Sequence, residues 1–415
     1  MGLIAAGLRG GVIEDAGSSA ANLARRIFSG DATAEECRAY LHGHVAPRTL
    51  SCVVNNTCNL KCRHCYLQIE RLGAPALTIP EWQQVFESVA TQPVRLVSFS
   101  GKEVFLGHKG IDLLESLVAA RQRHHASFDV GVITNGTLLG AVRERIEALG
   151  LAYLDISVDG APEDHDAIRG AGAFALAEPN IRWAARTLGS KFFSSCTVQA
   201  RNHHRLADTV VAMDRLGVRN IGFSFYKPMP YTDASLALDD SAVAGVFRSL
   251  EQIGELPLQN VRTVLFDADM LDIRLAAAFV GSEWFNLDVI RAERSGEVFI
   301  AHTLKNGAEM RFRFAPFPTG VNVTARLTTE GHYLAAEDTM NTREYERMRL
   351  ANIREVGFDF SAMHRSARQS ARVSEIFRWF LATVWPAVQQ AYRNRSNHMA
   401  PHMASSQSHV LGSAA

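Results

Sequence analysis

No window of this sequence carries the run of apolar residues that a bilayer-spanning helix needs. Net charge is also missing: 43 basic residues stand against 43 acidic ones. No global field therefore draws nucleic acid or an anionic membrane surface, and neither is expected as a partner. Cysteine is scarce, with six in 415 residues, too few for a disulfide-built scaffold of this size. The opening stretch MGLIAAGLRGGVIEDAG is broken by Arg9 and by glycines. It lacks the charged start and long apolar run of a secretory signal. It also lacks the Ser or Thr at the sixth position that N-myristoylation requires. The expected location is the cytoplasm, where thiols stay reduced and clustered cysteines point to metal rather than to disulfides. No internal repeat is visible. What remains is ordinary for a globular chain, 47% hydrophobic and 21% charged, with length enough for a full-sized core.

From about 49 to 226, short apolar β-branched runs alternate with helical patterns. The runs are TLSCVVN (49–55), VRLVSFS (94–100), FDVGVIT (128–134), AYLDISV (152–158), FFSSCTVQA (192–200) and NIGFSFY (220–226). Segments such as IDLLESLVAARQRHH and HRLADTVVAMDRLG lie between them. Six strand-then-helix units imply an α/β fold with a parallel sheet and right-handed crossovers. Periodicity leaves open whether the sheet is doubly wound or a partial barrel; in either, chemistry belongs at the C-terminal ends of the strands. Residues 1–48 read as a helical preface. After about 256 the alternation is expected to stop, giving way to β-rich runs (EVFIAHT, MRFRFAP, VNVTARL) and a long amphipathic helix, VSEIFRWFLATVWPAVQQAYR. Residues 393–415, rich in Ser, His and Ala, read as a disordered tail.

Three of the six cysteines, Cys58, Cys62 and Cys65, fall within TCNLKCRHCY, directly after the first strand. A structural zinc site wants four tetrahedral ligands. His64 is badly placed to join the three thiols, and Cys37, Cys52 and Cys196 form no second pair. Thiolate-held [4Fe–4S] clusters take four cysteines as a rule. Three leave one iron without a protein ligand, open to a reaction partner.

This stretch resembles the radical S-adenosylmethionine (SAM) superfamily, whose mark is C-x3-C-x2-C with an aromatic residue near the third cysteine, here Tyr66. Further landmarks follow in the expected order. They are FSGKEVFL (99–106) in place of FSGGEPLL, TNGTLL (134–139), and ISVDG (156–160) followed by HDAIRG (165–170). The last pair is similar to the element of the peptide-modifying and molybdopterin-type branches. The resemblance implies a partial TIM barrel, (β/α)6, over 49–255, with a C-terminal α+β cap over 256–392. It further implies that Cys58, Cys62 and Cys65 hold a [4Fe–4S] cluster whose fourth iron is chelated by SAM. Carried over residue by residue, Tyr66 packs near the adenine, while Gly101 and Glu103 receive the SAM amino group. Asn135 and Ser157 face the ribose or the methionyl carboxylate, and either Arg169 or Arg182 pairs with that carboxylate.

Two departures stand out. Lys102 and Val104 replace the second glycine and the proline of the usual loop, so Lys102 either contacts substrate or points into solvent. The C-terminal third has the cadence of the extension that holds auxiliary clusters in this branch, yet it contains no cysteine, which excludes such clusters. Cys196 is read two ways: as a small buried hydrophobe, or, if it faces the barrel interior, as a hydrogen-atom donor of the kind radical epimerases use. Tyr226, with Lys227, ends the sixth strand where substrate contacts are expected. The activity so implied is reductive cleavage of SAM and hydrogen abstraction from an organic substrate. A ribosomal peptide undergoing cross-linking, epimerisation or oxidation is favoured, with electrons from a flavodoxin- or ferredoxin-type donor. The alternatives are a small-molecule substrate (amino acid, sugar or cofactor precursor) and a non-catalytic metal-binding scaffold.

Overall fold

The computed structural model describes residues 19–42, 46–65, 75–228, 232–268, 272–292, 298–314, 324–334, 349–370, 375 and 377–395. Tyr66 and the tail beyond 395 lie outside the described residues. Strands β1 (Thr49–Val53), β2 (Leu96–Ser100), β3 (Asp129–Thr134), β4 (Tyr153–Ser157), β5 (Phe192–Val198) and β6 (Asn220–Phe225) pair in parallel in chain order. They are nearly continuous apolar or small-residue runs because both faces are covered, and this made them readable. Helices α3 (Ile79–Ala90), α4 (Lys109–Arg123), α5 (Arg143–Leu149), α6 (Pro162–Arg169), α7 (Ala173–Thr187) and α8 (Leu206–Arg215) form the crossovers; α1 (Ser19–Ser29) and α2 (Ala34–His42) precede the sheet.

The alternation does not stop at 256. After α9 (Asp240–Ser249) and α10 (Glu251–Gly254), strand β7 (Thr263–Asp267) adds in parallel to β6, and α11 (Ile273–Gly281) follows it. The run TVLFD is β-prone and buried at its centre, but the polar stretch before it hides the unit. Asp214, at the end of α8, fixes that stretch: its Oδ1 accepts from the backbone amides of Gln259, Asn260 and Val261 at 3.1, 2.7 and 2.8 Å. Asp214→Ala is expected to cost about 3 kcal/mol, read as a lower urea midpoint at unchanged slope, because three N–H groups, that of Val261 buried, lose a charged acceptor.

The β-rich runs join the same sheet at its two sides. β8 (Ile290–Ala292), β9 (Val298–Thr303) and β10 (Glu309–Phe314) extend it beyond β7, with β10 parallel to β7 and the other two antiparallel. β11 (Thr324–Leu327) returns to lie parallel beside β1, and β12 (His332–Leu334) and β13 (Arg349–Asn352) follow antiparallel. The order is β13-β12-β11-β1-β2-β3-β4-β5-β6-β7-β10-β9-β8. This is a parallel-dominated α/β sheet, consistent with a partial TIM barrel. Helix α12 (Phe360–Arg368) packs on β13 and α3. The last helix runs over 377–395 with a π segment at Phe380–Val384. Pro386 has no N–H to offer the carbonyl of Ala382, and that missing bond accounts for the widened turn.

Strand alternation gives the sheet two unlike faces. One is apolar and lies under the helices, with Phe99, Val132, Ile156 and Phe223 in the main core; Ser194, on this face of β5, donates to Met213 Sδ of α8. The inner face has an apolar floor of Leu96, Ile133, Tyr153, Phe193 and Leu265, and above it the strands turn polar.

Candidate active site

The segment after β1 carries the three thiols, and five different elements hold it. Asn55 Nδ2 donates to the carbonyls of Glu103 and Leu106, at 3.0 and 3.3 Å. Its Oδ1 accepts the amide and hydroxyl of Thr57, an Asx turn that starts the loop. The Glu103 amide returns a bond to Thr57 O at 3.1 Å. Asn59 donates to Thr137 after β3, and the Arg63 amide donates to Ile168 O of α6 at 2.9 Å. The Arg63 guanidinium pairs with Asp233 after β6 (Nε to Oδ2, 2.9 Å), and Asn56 Nδ2 meets Glu330 Oε1 of the β11–β12 turn at 2.7 Å.

The glycine-rich landmark is part of this clamp. Gly101 has φ +128°, and a Cβ there would stand 2.9 Å from Val53 Cγ1 and 3.2 Å from Asn55 O, so only glycine lets the β2 turn close against β1. Glu103 is wholly buried. Its carboxylate accepts from Thr134 Oγ1 (2.7 Å), the Asn135 amide (2.8 Å) and the Phe105 amide (3.0 Å). Burial pushes its pKa up against those three bonds. It thereby fixes the end of β3, where Asn135 Nδ2 reaches Asn59 Oδ1 at 2.9 Å and Cys58 Sγ at 3.8 Å. Ser157 ends β4 on the inner face, and Lys102 is half-buried in the same turn as Gly101.

The two arginines part company. Arg182 is half-exposed on α7 and pairs with Glu178 one turn back. Arg169 is buried, its Nε 2.6 Å from Asp159 Oδ2, and both Cys62 and Cys65 act on its charge. Asp159 is the hub. Its Oδ1 accepts the Thr197 amide, its carbonyl accepts Asn202 Nδ2, and its own amide donates to His165 Nδ1. Burial works to raise the Asp159 carboxyl, but Arg169 and the histidines outweigh it and hold it at about 2. His64, between the cysteines, is buried with Nδ1 3.7 Å from Asp159 Oδ2, and burial depresses it to about 4, so it is neutral at pH 7.

Cys196 is not on the inner face. It shares the helix-covered side of β5 with Ser194, is fully buried, and accepts from Asn202 Nδ2 at 3.5 Å. The interior position that a hydrogen-atom donor needs is therefore not the one it occupies. Tyr226 is buried just past β6; its hydroxyl donates to the Asp233 carbonyl (3.0 Å) and is hydrogen-bonded to the Thr232 hydroxyl (2.5 Å), so it braces the segment that Arg63 grips. Sequence analysis gave no role to His64, Asp159 or the inner-face pair Arg313–Asp267 (3.0 Å) of β10 and β7. For Asp159 the signal was present in ISVDG; for the pair, only the fold brings the residues together.

The donor set suits an iron–sulfur cluster. Burial raises the Cys58 thiol and pushes Cys62 up to about 12, against the pull of Arg169, and a cation beside Cys62, as bound iron would be, would favour its thiolate. Cys58 Sγ already receives the Leu60 amide (3.4 Å) and Asn135 Nδ2, bonds of the kind that steady a thiolate ligand. Among the described residues no three His, Cys, Asp or Glu side chains gather as ligands of one ion would. Nor, among the described residues, is any helix long and apolar enough to cross a membrane.

Comparison with known proteins bears on these residues. The model of the radical SAM superfamily matches residues 52–198. Pre-heme d1 synthase of Dinoroseobacter shibae is 31% identical over 165 residues, 39% of this chain and 39% of that protein. The mycofactocin maturase MftC of Mycobacterium ulcerans is 29% identical over 178 residues, 42% of this chain and 47% of that one. The matches thus span less than half the length of either relative. In fold, the chain is similar to Streptococcus suis SuiB bound to its precursor peptide SuiA, with a TM-score of 0.59, 12% identity, and coverage of 82% of this chain and 69% of that one.

Proposed function

Because the chain is a radical SAM superfamily enzyme, we propose that it cleaves SAM reductively and abstracts a hydrogen atom from a ribosomal peptide in natural-product biosynthesis. The carrying observation is the clamp: three thiols on one loop after β1, tied to the ends of β2 and β3 through Glu103 and Asn135. Held by these residues, a [4Fe–4S] cluster would supply the electron for reductive cleavage of SAM. The chain's own residues supply the rest. Cys58, Cys62 and Cys65 hold the cluster, Asn135 and Ser157 contact SAM, and Arg169 holds a positive charge behind the thiols. Glu103 acts by holding the β3 end in place. Likeness to a mycofactocin maturase and to a subtilosin biosynthesis protein of Bacillus subtilis supports the peptide reading. Likeness to pre-heme d1 synthase favours a second reading, a small-molecule substrate. The proposed electron donor is a flavodoxin or ferredoxin.

The test is 5′-deoxyadenosine formation by protein reconstituted with iron and sulfide without oxygen, given SAM and dithionite. Formation of the nucleoside with about four irons per chain is expected. A protein that holds zinc in place of iron, or a full cluster that leaves SAM intact with every peptide tried, overturns the proposal.

A further inference from the structure

Strand β4 carries a carboxylate that the site described above does not use. Asp155 is on the inner face, between Tyr153 of the apolar floor and Ser157 at the strand's end, and it is wholly buried. Its Oδ2 accepts the Ser195 hydroxyl of β5 at 2.5 Å, and among the described residues its Oδ1 has no partner. On the same face of β2, Ser98 Oγ is equally buried and unpartnered. The Tyr153 ring lies over Gly131 of β3, where a Cβ would meet it at 2.0 Å, so the floor beneath Asp155 is closed. With the floor closed, a ligand would have to approach Asp155 from the C-terminal strand ends, the side that carries the cysteine loop.

Such a carboxylate works against the fold. Burial pushes it up to about 7, although Ser195 and the charge of Arg169 pull the other way. Among the described residues Arg169 is the charged side chain that bears on it; its strand neighbours Ile133 and Phe193 are apolar. A carboxyl whose folded pKa lies above its unfolded one contributes most below the unfolded value, and that contribution is lost as pH rises through about 7. Asparagine would accept the Ser195 hydroxyl without this loss. Carboxylates kept at a cost to stability mark places where a ligand uses them.

We propose that Asp155 reads the peptide substrate, its free Oδ1 accepting a backbone amide N–H from a chain lowered into the barrel, with Ser98 as a second polar contact. The inference rests on the peptide reading above. An amide N–H suits the place: it is neutral, cheap to strip of water, and complementary to an acceptor that has none of its own. An anionic group would meet repulsion there, and an apolar one would leave Oδ1 orphaned.

The test uses the SAM-loaded holoenzyme and infrared spectroscopy of the protonated carboxyl band. The band is assigned by its loss in Asp155→Asn and, should that variant not fold, by its shift in Ser195→Ala. The probes are N-methylacetamide, which has one amide N–H, and N,N-dimethylacetamide, which has none. N-methylacetamide is expected to move the titration midpoint of the band toward acid by about one pH unit, because an N–H donor favours the ionised form. Dimethylacetamide is expected to leave it in place. No movement with either, or equal movement with both, overturns the proposal. 5′-Deoxyadenosine formation followed in the same samples separates its failure from failure of the radical SAM reading.

Discussion

Replacing Cys58, Cys62 and Cys65 together by alanine is expected to bring bound iron to background and to lower 5′-deoxyadenosine formation by more than about a hundredfold. Outer-shell substitutions around metal sites already cost roughly ten- to a hundredfold, and these three side chains are the proposed ligands themselves. Their surroundings make the loss selective. The loop is held by Asn55, Asn59, Arg63 and Asn56, none of which depends on a sulfur atom. The cysteines are only partly buried, so the metal-free fold should change by no more than about 0.5 kcal/mol. Iron content and circular dichroism on the same samples check both halves. Retention of iron by the triple variant would show that other ligands bind it.

Arg169→Leu is expected to destabilise the fold by about 3–5 kcal/mol at neutral pH, since it strands the Asp159 carboxylate without its buried partner. The pH dependence identifies the cause. With its folded pKa held near 2, below the unfolded value, Asp159 contributes stability that is present above about pH 4 and lost as pH falls through 2. In the variant that contribution disappears and the buried charge becomes a burden, so the gap between the two proteins widens from acid to neutral pH. Adding Asp159→Asn should restore much of the loss, because asparagine still accepts the Thr197 amide. Urea midpoints at pH 3 and pH 7, for single and double variants, measure this; a gap independent of pH would mean that Arg169 acts by packing alone.

Much of the site was legible because its signals are local. A cysteine triplet after a strand, a glycine where two strands close, and the runs that became β1 to β6 each declare themselves within a few residues. What escaped depends on parity or on long-range pairing. One position along β5 decides whether a side chain meets the helices, as Cys196 does, or the interior, as Ser195 does, and the run FFSSC is apolar enough on both faces to hide the choice. Arg182 and Arg169 look equally available until α7 turns one toward solvent and α6 carries the other behind the thiols. β7 was lost behind polar residues that Asp214 organises. That β10 and β11 would join opposite sides of the first seven strands has no local signature.

That last arrangement sets a timetable for synthesis. Strand β1, which delivers the cysteine loop, has β2 for one neighbour soon after it emerges, but its other neighbour is β11, and the bond from Asn56 to Glu330 spans 274 residues. At a ribosomal pace of about 5–20 residues per second, one edge of β1 waits for roughly a quarter of a minute to a minute with its backbone groups unpaired. The nascent chain is open to strand-to-strand association throughout that interval. The loop's last protein contacts form only when β11 arrives, and slower translation lengthens the exposure.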